Sequence, residues 1–299
     1  MAVNFHLKAF GFVTLVIIGI PVNIFVLIRF LYILLTEQKL LPANTIRMSL
    51  TLANVFVLLS RVTTQALYSI GLRNLLNDNQ CKVIIYTFRV SRAMSICITS
   101  FLSCHQCLII SPVTGKWKNL KQIVNRHVLI ILMLLLAMNL VLYPSGILYG
   151  QATTNATLSP YTLRLVYCDV DFLNYPIYII NGSAYVIREI IFVGLMILSS
   201  TYMVYVLYRH GQAMKGKRSS EKGQGKTIEF KASRAVIVLV AMYLALFGMD
   251  NSAWINTLFM SNVDPDVSDT RLFLAACFTV LSPIHIFITT PKLHLKLKK

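Results

Sequence analysis

Residues 127–149 read HVLIILMLLLAMNLVLYPSGILY, a stretch without an acid, a lysine or an arginine. About 20 such residues, wound as a helix, reach across the ~30 Å hydrocarbon core of a bilayer. Apolar runs of the same kind recur at roughly 9–35, 46–70, 81–110, 175–208, 234–260 and 271–290, so the sequence predicts an all-α membrane protein with seven spans. The ten-residue alternation of a membrane β-barrel is absent. Gly19 and Pro21 interrupt the first run, which a membrane helix tolerates when its neighbours supply partners for the freed backbone groups. A cleaved signal peptide does not fit this run, because its positive flank follows it and no small-residue cleavage site closes it.

Composition agrees with this reading. Of 299 residues 56% are hydrophobic and 13% charged, with a mean hydropathy of +0.67. A soluble domain so composed would leave large apolar patches in water, which excludes secreted and cytosolic enzymes. Ordinary counts of 13 Gly, 9 Pro and 6 Cys exclude collagen-like, disordered and disulfide-scaffold chains. The whole chain, 1–299, is therefore expected to form one seven-helix domain.

A net charge of +17 first suggests nucleic acid, but the cations cluster in loops between apolar runs, most densely from Arg209 to Arg234, with no interleaved stacking aromatics. Nucleic acid is therefore not an expected partner, whereas anionic lipid beside these loops is. Counting Lys and Arg in alternate loops gives 19 on one side against 5 on the other. The richer side is expected to be cytoplasmic, with the N-terminus outside and the C-terminus inside. The Asn155-Ala156-Thr157 sequon and most loop acids, among them Asp169, Asp171, Asp264, Asp266 and Asp269, then fall outside, and Asn155 is expected to carry a glycan. A second sequon at Asn181 lies inside the fifth run and is expected to stay unmodified.

With this topology Cys81 opens the third span at the outer face and Cys168 lies in the second outer loop, an oxidising setting, so the two are expected to form a disulfide. Cys104-His105-Gln106-Cys107 has the spacing of a zinc or thioredoxin-type site. No second Cys/His pair completes four zinc ligands and no strand and turn precede it, so these residues are read as packing and no metal or cofactor is expected. Cys97 and Cys277 are read as small buried apolar residues.

Ionisable residues inside a span cost about 2.5 to 3.5 kcal/mol each on insertion scales and are functional candidates for that reason. Arg61, Arg89, Arg92, Arg188, Glu189 and Asp250 qualify. Arg89 and Arg92, three apart, share a helix face about two to three turns below Cys81, the depth of a ligand pocket. The competing reading makes these arginines an interhelical ion-pair network with Glu189 and Asp250. Arg188 and Glu189, adjacent on a helix, point about 100° apart and are expected to seek partners on other helices. Trp254 reads as an interface aromatic. Phe88 and Phe192 are candidates to pack the apolar body of a small organic, and by the excess of arginine anionic, ligand.

Other membrane functions find less support. A repeat-built transporter would show internal symmetry, and residues 1–110 and 175–299 share no motif order. A retinal pump needs a lysine in the seventh run, and 271–290 contains none. An intramembrane enzyme would need a nucleophile and base or a metal cluster, so none is expected.

Motifs distributed along the chain carry a resemblance. They include Leu52-Ala53-Asn54, Ser91-Arg92-Ala93-Met94-Ser95-Ile96-Cys97, Leu102-Ser103-Cys104-His105-Gln106 and Ile110-Ser111-Pro112 with Trp117. Arg188-Glu189-Ile190-Ile191-Phe192-Val193-Gly194-Leu195-Met196, Ser199-Ser200, Tyr202-Met203-Val204, Arg209-His210 and Leu281-Ser282-Pro283 follow. In these the chain resembles the vomeronasal type-1 receptors, including the related class A olfactory receptors of fish. The resemblance implies a chemosensory G-protein-coupled receptor in the plasma membrane of chemosensory neurons, signalling through a heterotrimeric G protein of the inhibitory class. Bitter-taste receptors, the nearest sister reading, fit these motifs poorly. The wider class A marks are missing: Cys104-His105-Gln106 stands where Asp-Arg-Tyr is usual and Ser282-Pro283 where Asn-Pro is usual. Helix six lacks Cys-Trp-x-Pro, and Asn54 in place of an Asp weakens the case for a bound sodium ion.

Overall fold

Helix α1, Ala2–Glu37, continues through Pro21, which removes one backbone donor from its interior. Just beyond Pro21, Asn23 donates to the Gly19 carbonyl at 2.8 Å and to the Thr279 carbonyl at 3.0 Å, tying the first span to the last. Gly19 is needed there, since a Cβ would stand 2.7 Å from Val280 Cγ2. This computed structural model describes residues 2–72, 76–111, 116–152, 162–165, 167–172, 174–215, 224–258 and 265–294.

The second span is α2, Pro42–Val57, then a π-helical turn, Leu58–Val62, and α3, Thr63–Ser69. Pro42 opens α2, where its missing N–H costs nothing. The π turn displaces the backbone ladder by a residue, with the Thr63 N–H donating to the Leu58 carbonyl, and hydroxyls bond beside it: Thr63 Oγ1 donates to the same carbonyl at 2.8 Å and Ser60 Oγ to the Phe56 carbonyl at 2.6 Å. The third span, α4, Asp78–Ile110, ends before Pro112. A short helix α5, Lys116–Arg126, leads into α6, Val128–Leu142, and α7, Ser145–Tyr149, which meet at Tyr143-Pro144 and make the fourth span. Helices α8, Tyr175–Lys215, α9, Gln224–Leu258, and α10, Pro265–Thr289, complete the set, and a 3₁₀ turn, Pro291–His294, follows. Among the described residues, seven helical segments are thus long and apolar enough to cross a membrane.

α4 stands at the centre, packed against α2, α6, α7, α8 and α9. Its buried face carries Ala93, Ile96, Cys97, Ile98 and Leu102, while large apolar side chains such as Leu35, Val141 and Leu198 point outward, as lipid requires and water would penalise. The bundle interior is partly polar. Asn54, with no exposed surface, donates to Ser282 Oγ at 2.8 Å and accepts from Ser95 Oγ at 3.1 Å, joining α2, α4 and α10. The Asn and Ser at the positions that depart from the wider class A pattern therefore bond each other.

Beyond the helices, strands β1, Gly150–Ala152, β2, Thr162–Arg164, and β3, Cys168–Asp171, form an antiparallel sheet in the order β1-β3-β2. Cys168 is bridged to Cys81 at the start of α4, as expected. Asp78 Oδ1 accepts from the Ala152 N–H at 2.8 Å, a second tie between sheet and helix. Cys97 is buried as predicted, but Cys277, on α10, is only half-buried. Cys104 and Cys107 are likewise half-buried thiols, and among the described residues no group of His, Cys, Asp and Glu could hold a metal.

Candidate functional site

At the disulfide end of the bundle a cavity of about 150 Å³ opens between α4 and α8, with Ala93 on its wall and Phe172 reaching it from the segment after β3. That is roughly the volume of cavities that take benzene. Arg61, Phe88, Arg89, Arg92, Arg188 and Glu189, predicted from separate spans, all lie on its wall. Arg271, the first residue of the seventh run, joins them from α10. Phe192 does not; it packs into the main apolar core. The side chains of Asp250 and Trp254, and the whole of Asn155, lie outside the described residues.

Arg61, Arg89 and Arg188 are each positioned by an aromatic ring or a polar bond. The π turn of the second span carries Arg61, and its guanidinium lies 5.1 Å from the centroid of the Phe88 ring. Tyr167, buried beneath the sheet, donates to the Arg61 carbonyl at 3.4 Å. Burial pushes its phenol up to about 12, against the opposing pull of the Arg61 guanidinium, so it stays protonated and able to donate.

Arg89 heads a directed chain of hydrogen bonds. Its Nη1 donates to Ser145 Oγ at 2.9 Å; Ser145 meets the Tyr185 hydroxyl, which donates to Asn181 Oδ1 at 3.3 Å, and Asn181 donates to the Ile177 carbonyl at 2.9 Å. Since guanidinium can only donate and a carbonyl only accept, every proton in the chain has one direction. Arg89 also lies 5.8 Å from the Tyr185 ring, which stacks on Tyr143 at 4.6 Å. Asn181, bonded within α8, is thus built into this chain.

Arg188 is held on several sides. Nη1 donates to Asn139 Oδ1 at 2.9 Å, and Asn139 is itself fixed by its bond to the Leu135 carbonyl at 2.7 Å. The guanidinium lies 5.4 Å from the Tyr143 centroid. Nη2 meets Glu189 Oε1 at 3.3 Å, which corrects the expectation that these neighbours would not pair. Their Cα–Cβ bonds do diverge, but the arginine side chain is long enough to fold back across its own helix, a reach that helical spacing does not measure. All three arginines thus lie over rings, contacts worth about 0.5 to 2 kcal/mol each. A ring does not cancel the positive charge stacked on it, whereas a paired acid would. Among the described lining residues, five arginines face one acid, Glu189.

Sequence reasoning missed Arg271, Tyr143, Tyr185, Ser145 and Asn139. Only Asn139 gave a signal, as the lone amide in the uncharged run from Val128 to Leu142.

A seven-span bundle with a disulfide from the third span to the segment between the fourth and fifth, and an arginine-lined cavity beneath it, is a heptahelical architecture. The solved structure of squid rhodopsin shares this fold, with a TM-score of 0.73 over 98% of this chain and 84% of that one, at 16% identity. The chain belongs to the vomeronasal organ pheromone receptor family, whose pattern it matches over residues 7–298. It is 36% identical to the zebrafish (Danio rerio) olfactory receptor class A-like protein 1, over 96% of this chain and 90% of that one. It is 26% identical to the human vomeronasal type-1 receptor 1, over 91% and 77% respectively. The protein is therefore a multi-pass G-protein-coupled receptor and not an enzyme.

Proposed function

We propose that this receptor sits in the plasma membrane of chemosensory neurons, binds small organic anions in the arginine-lined cavity and signals through an inhibitory-class heterotrimeric G protein. The observation that carries the ligand reading is the set of five arginines around Glu189. Arginine cannot shed its proton at usable pH, so a water-poor site of this kind favours a carboxylate or sulfate that its planar fork can hold bidentately. Desolvating the ligand's own charge offsets much of the gain, so the site selects acids more than it binds them tightly. Rings of Phe88, Tyr143 and Tyr185 supply the surface for an apolar body. In this reading the disulfide end faces outside, and the basic segment around Lys215 to Lys231 faces the cytoplasm, where the G protein docks.

The probes follow from the cavity's size: benzoate, benzamide and benzylamine share one ring and differ in charge. Calorimetry on purified receptor is expected to show benzoate binding at least tenfold tighter than either neutral or cationic analogue, and to lose that margin in Arg89→Ala and Arg92→Ala. Equal binding of benzamide or benzylamine to the wild type overturns the anion reading and returns the arginines to a structural role.

A further inference from the structure

We infer that Glu189 is a resident counter-ion that competes with the acid group of a ligand for the Nε–Nη2 edge of Arg188, and so sets how strongly the cavity takes up acids. The inference rests on the anion reading above and deepens it. Arg188 cannot move to meet a ligand: its side chain is 6% exposed, Nη1 is committed to Asn139, and its plane faces the Tyr143 ring. What remains is the edge formed by Nε and Nη2, the side-on face on which a guanidinium holds a carboxylate with two parallel bonds. Glu189 uses that edge poorly. One of its oxygens reaches Nη2 at 3.3 Å, long for a charge-assisted bond, and Nε is buried with no hydrogen-bond partner among the described residues.

A carboxylate at the adjacent position of the same helix is tethered too close to turn both oxygens onto the edge. A free carboxylate in the cavity is under no such constraint and can satisfy Nε and Nη2 together. The Glu189 side chain, 20% exposed and also on the cavity wall, can withdraw when this happens, but its charge stays nearby and repels the newcomer. An unmet donor on the arginine favours the ligand acid, and the resident carboxylate opposes it. Neutralising Glu189 removes the opposition and leaves the donor edge intact.

The experiment compares benzoate with benzamide on purified full-length wild type and Glu189→Gln receptor by calorimetry. Removal of a competing charged hydrogen bond is expected to lower the benzoate dissociation constant by roughly tenfold to a hundredfold, with benzamide unchanged. Glu189→Asp, which keeps the charge on a shorter stem, is expected to shift benzoate by much less, and it carries the comparison if the amide variant does not fold. A benzoate constant that is unchanged or weaker in Glu189→Gln, or that moves in step with benzamide, overturns the inference. Failure of the anion reading itself shows earlier and separately, as wild-type receptor that does not distinguish the two probes.

Discussion

Replacing Asn54 by alanine tests the polar joint of the bundle. Asn54 is fully buried and links Ser282 and Ser95, so Asn54→Ala removes two interhelical bonds. Bonds of this kind in membrane proteins average about 0.6 kcal/mol and reach about 1.7, giving roughly 1 to 3 kcal/mol for the pair. The void left by three side-chain atoms, on the order of 30 Å³ at about 24 cal/mol per Å³, adds somewhat under 1 kcal/mol. The total of about 2 to 4 kcal/mol should lower the apparent unfolding temperature of detergent-solubilised receptor by several degrees at a fixed scan rate. Ser282→Ala removes one bond and no comparable volume, so a smaller loss of about 1 kcal/mol is expected. Because the two residues share that bond, the double variant should fall short of the sum of the singles by about 0.5 to 1.7 kcal/mol. Strict additivity, or an Asn54→Ala receptor that unfolds with the wild type, would show that Asn54 and Ser282 do not form a stabilising joint.

Gly146 faces the backbone of Tyr86, where an added Cβ would lie 3.2 Å from its Cα and N, while nothing lies within 4 Å of a Cβ at Gly182. Gly146→Leu is therefore expected to cost about 1 to 3 kcal/mol and reduce surface expression, and Gly182→Ala to leave it unchanged, both read by flow cytometry. Mass spectrometry of intact receptor without reductant should find neither Cys81 nor Cys168 alkylated, and a free thiol at either contradicts the bridge. An epitope inserted between Lys215 and Lys231 should stain only permeabilised cells, and Asn155→Gln should remove a glycan shift on gels; staining of intact cells reverses the orientation.

The spans were legible because lipid imposes a simple rule: about 20 apolar residues with internally satisfied backbones leave an unmistakable run. Arg61, Arg89, Arg92, Arg188 and Glu189 were legible for the same reason, since a charge inside such a run stands out. Arg271 escaped because a cation at the end of a span looks like any loop cation, and only the approach of α10 brings it to the cavity. Tyr143 and Tyr185 escaped because tyrosines are common near membrane interfaces, and their stacking depends on how the junction of α6 and α7 meets α8. The sheet was missed because β1, β2 and β3 are three or four residues each, too short to show alternation, and are set by the disulfide and by Asp78. Helix α5 was read as a loop because its charges mask Trp117, Leu120 and Ile123, which recur at helical spacing on an exposed face.

Whether the arginine-lined cavity holds an organic anion is decided by an experimental structure of the receptor with bound benzoate. The ring is expected among Phe88, Tyr143 and Tyr185, with a carboxylate oxygen within about 3 Å of a guanidinium nitrogen of Arg61, Arg89, Arg92, Arg188 or Arg271. A benzoate whose carboxylate points away from all five, or which sits elsewhere on the receptor and leaves the cavity empty, would contradict it.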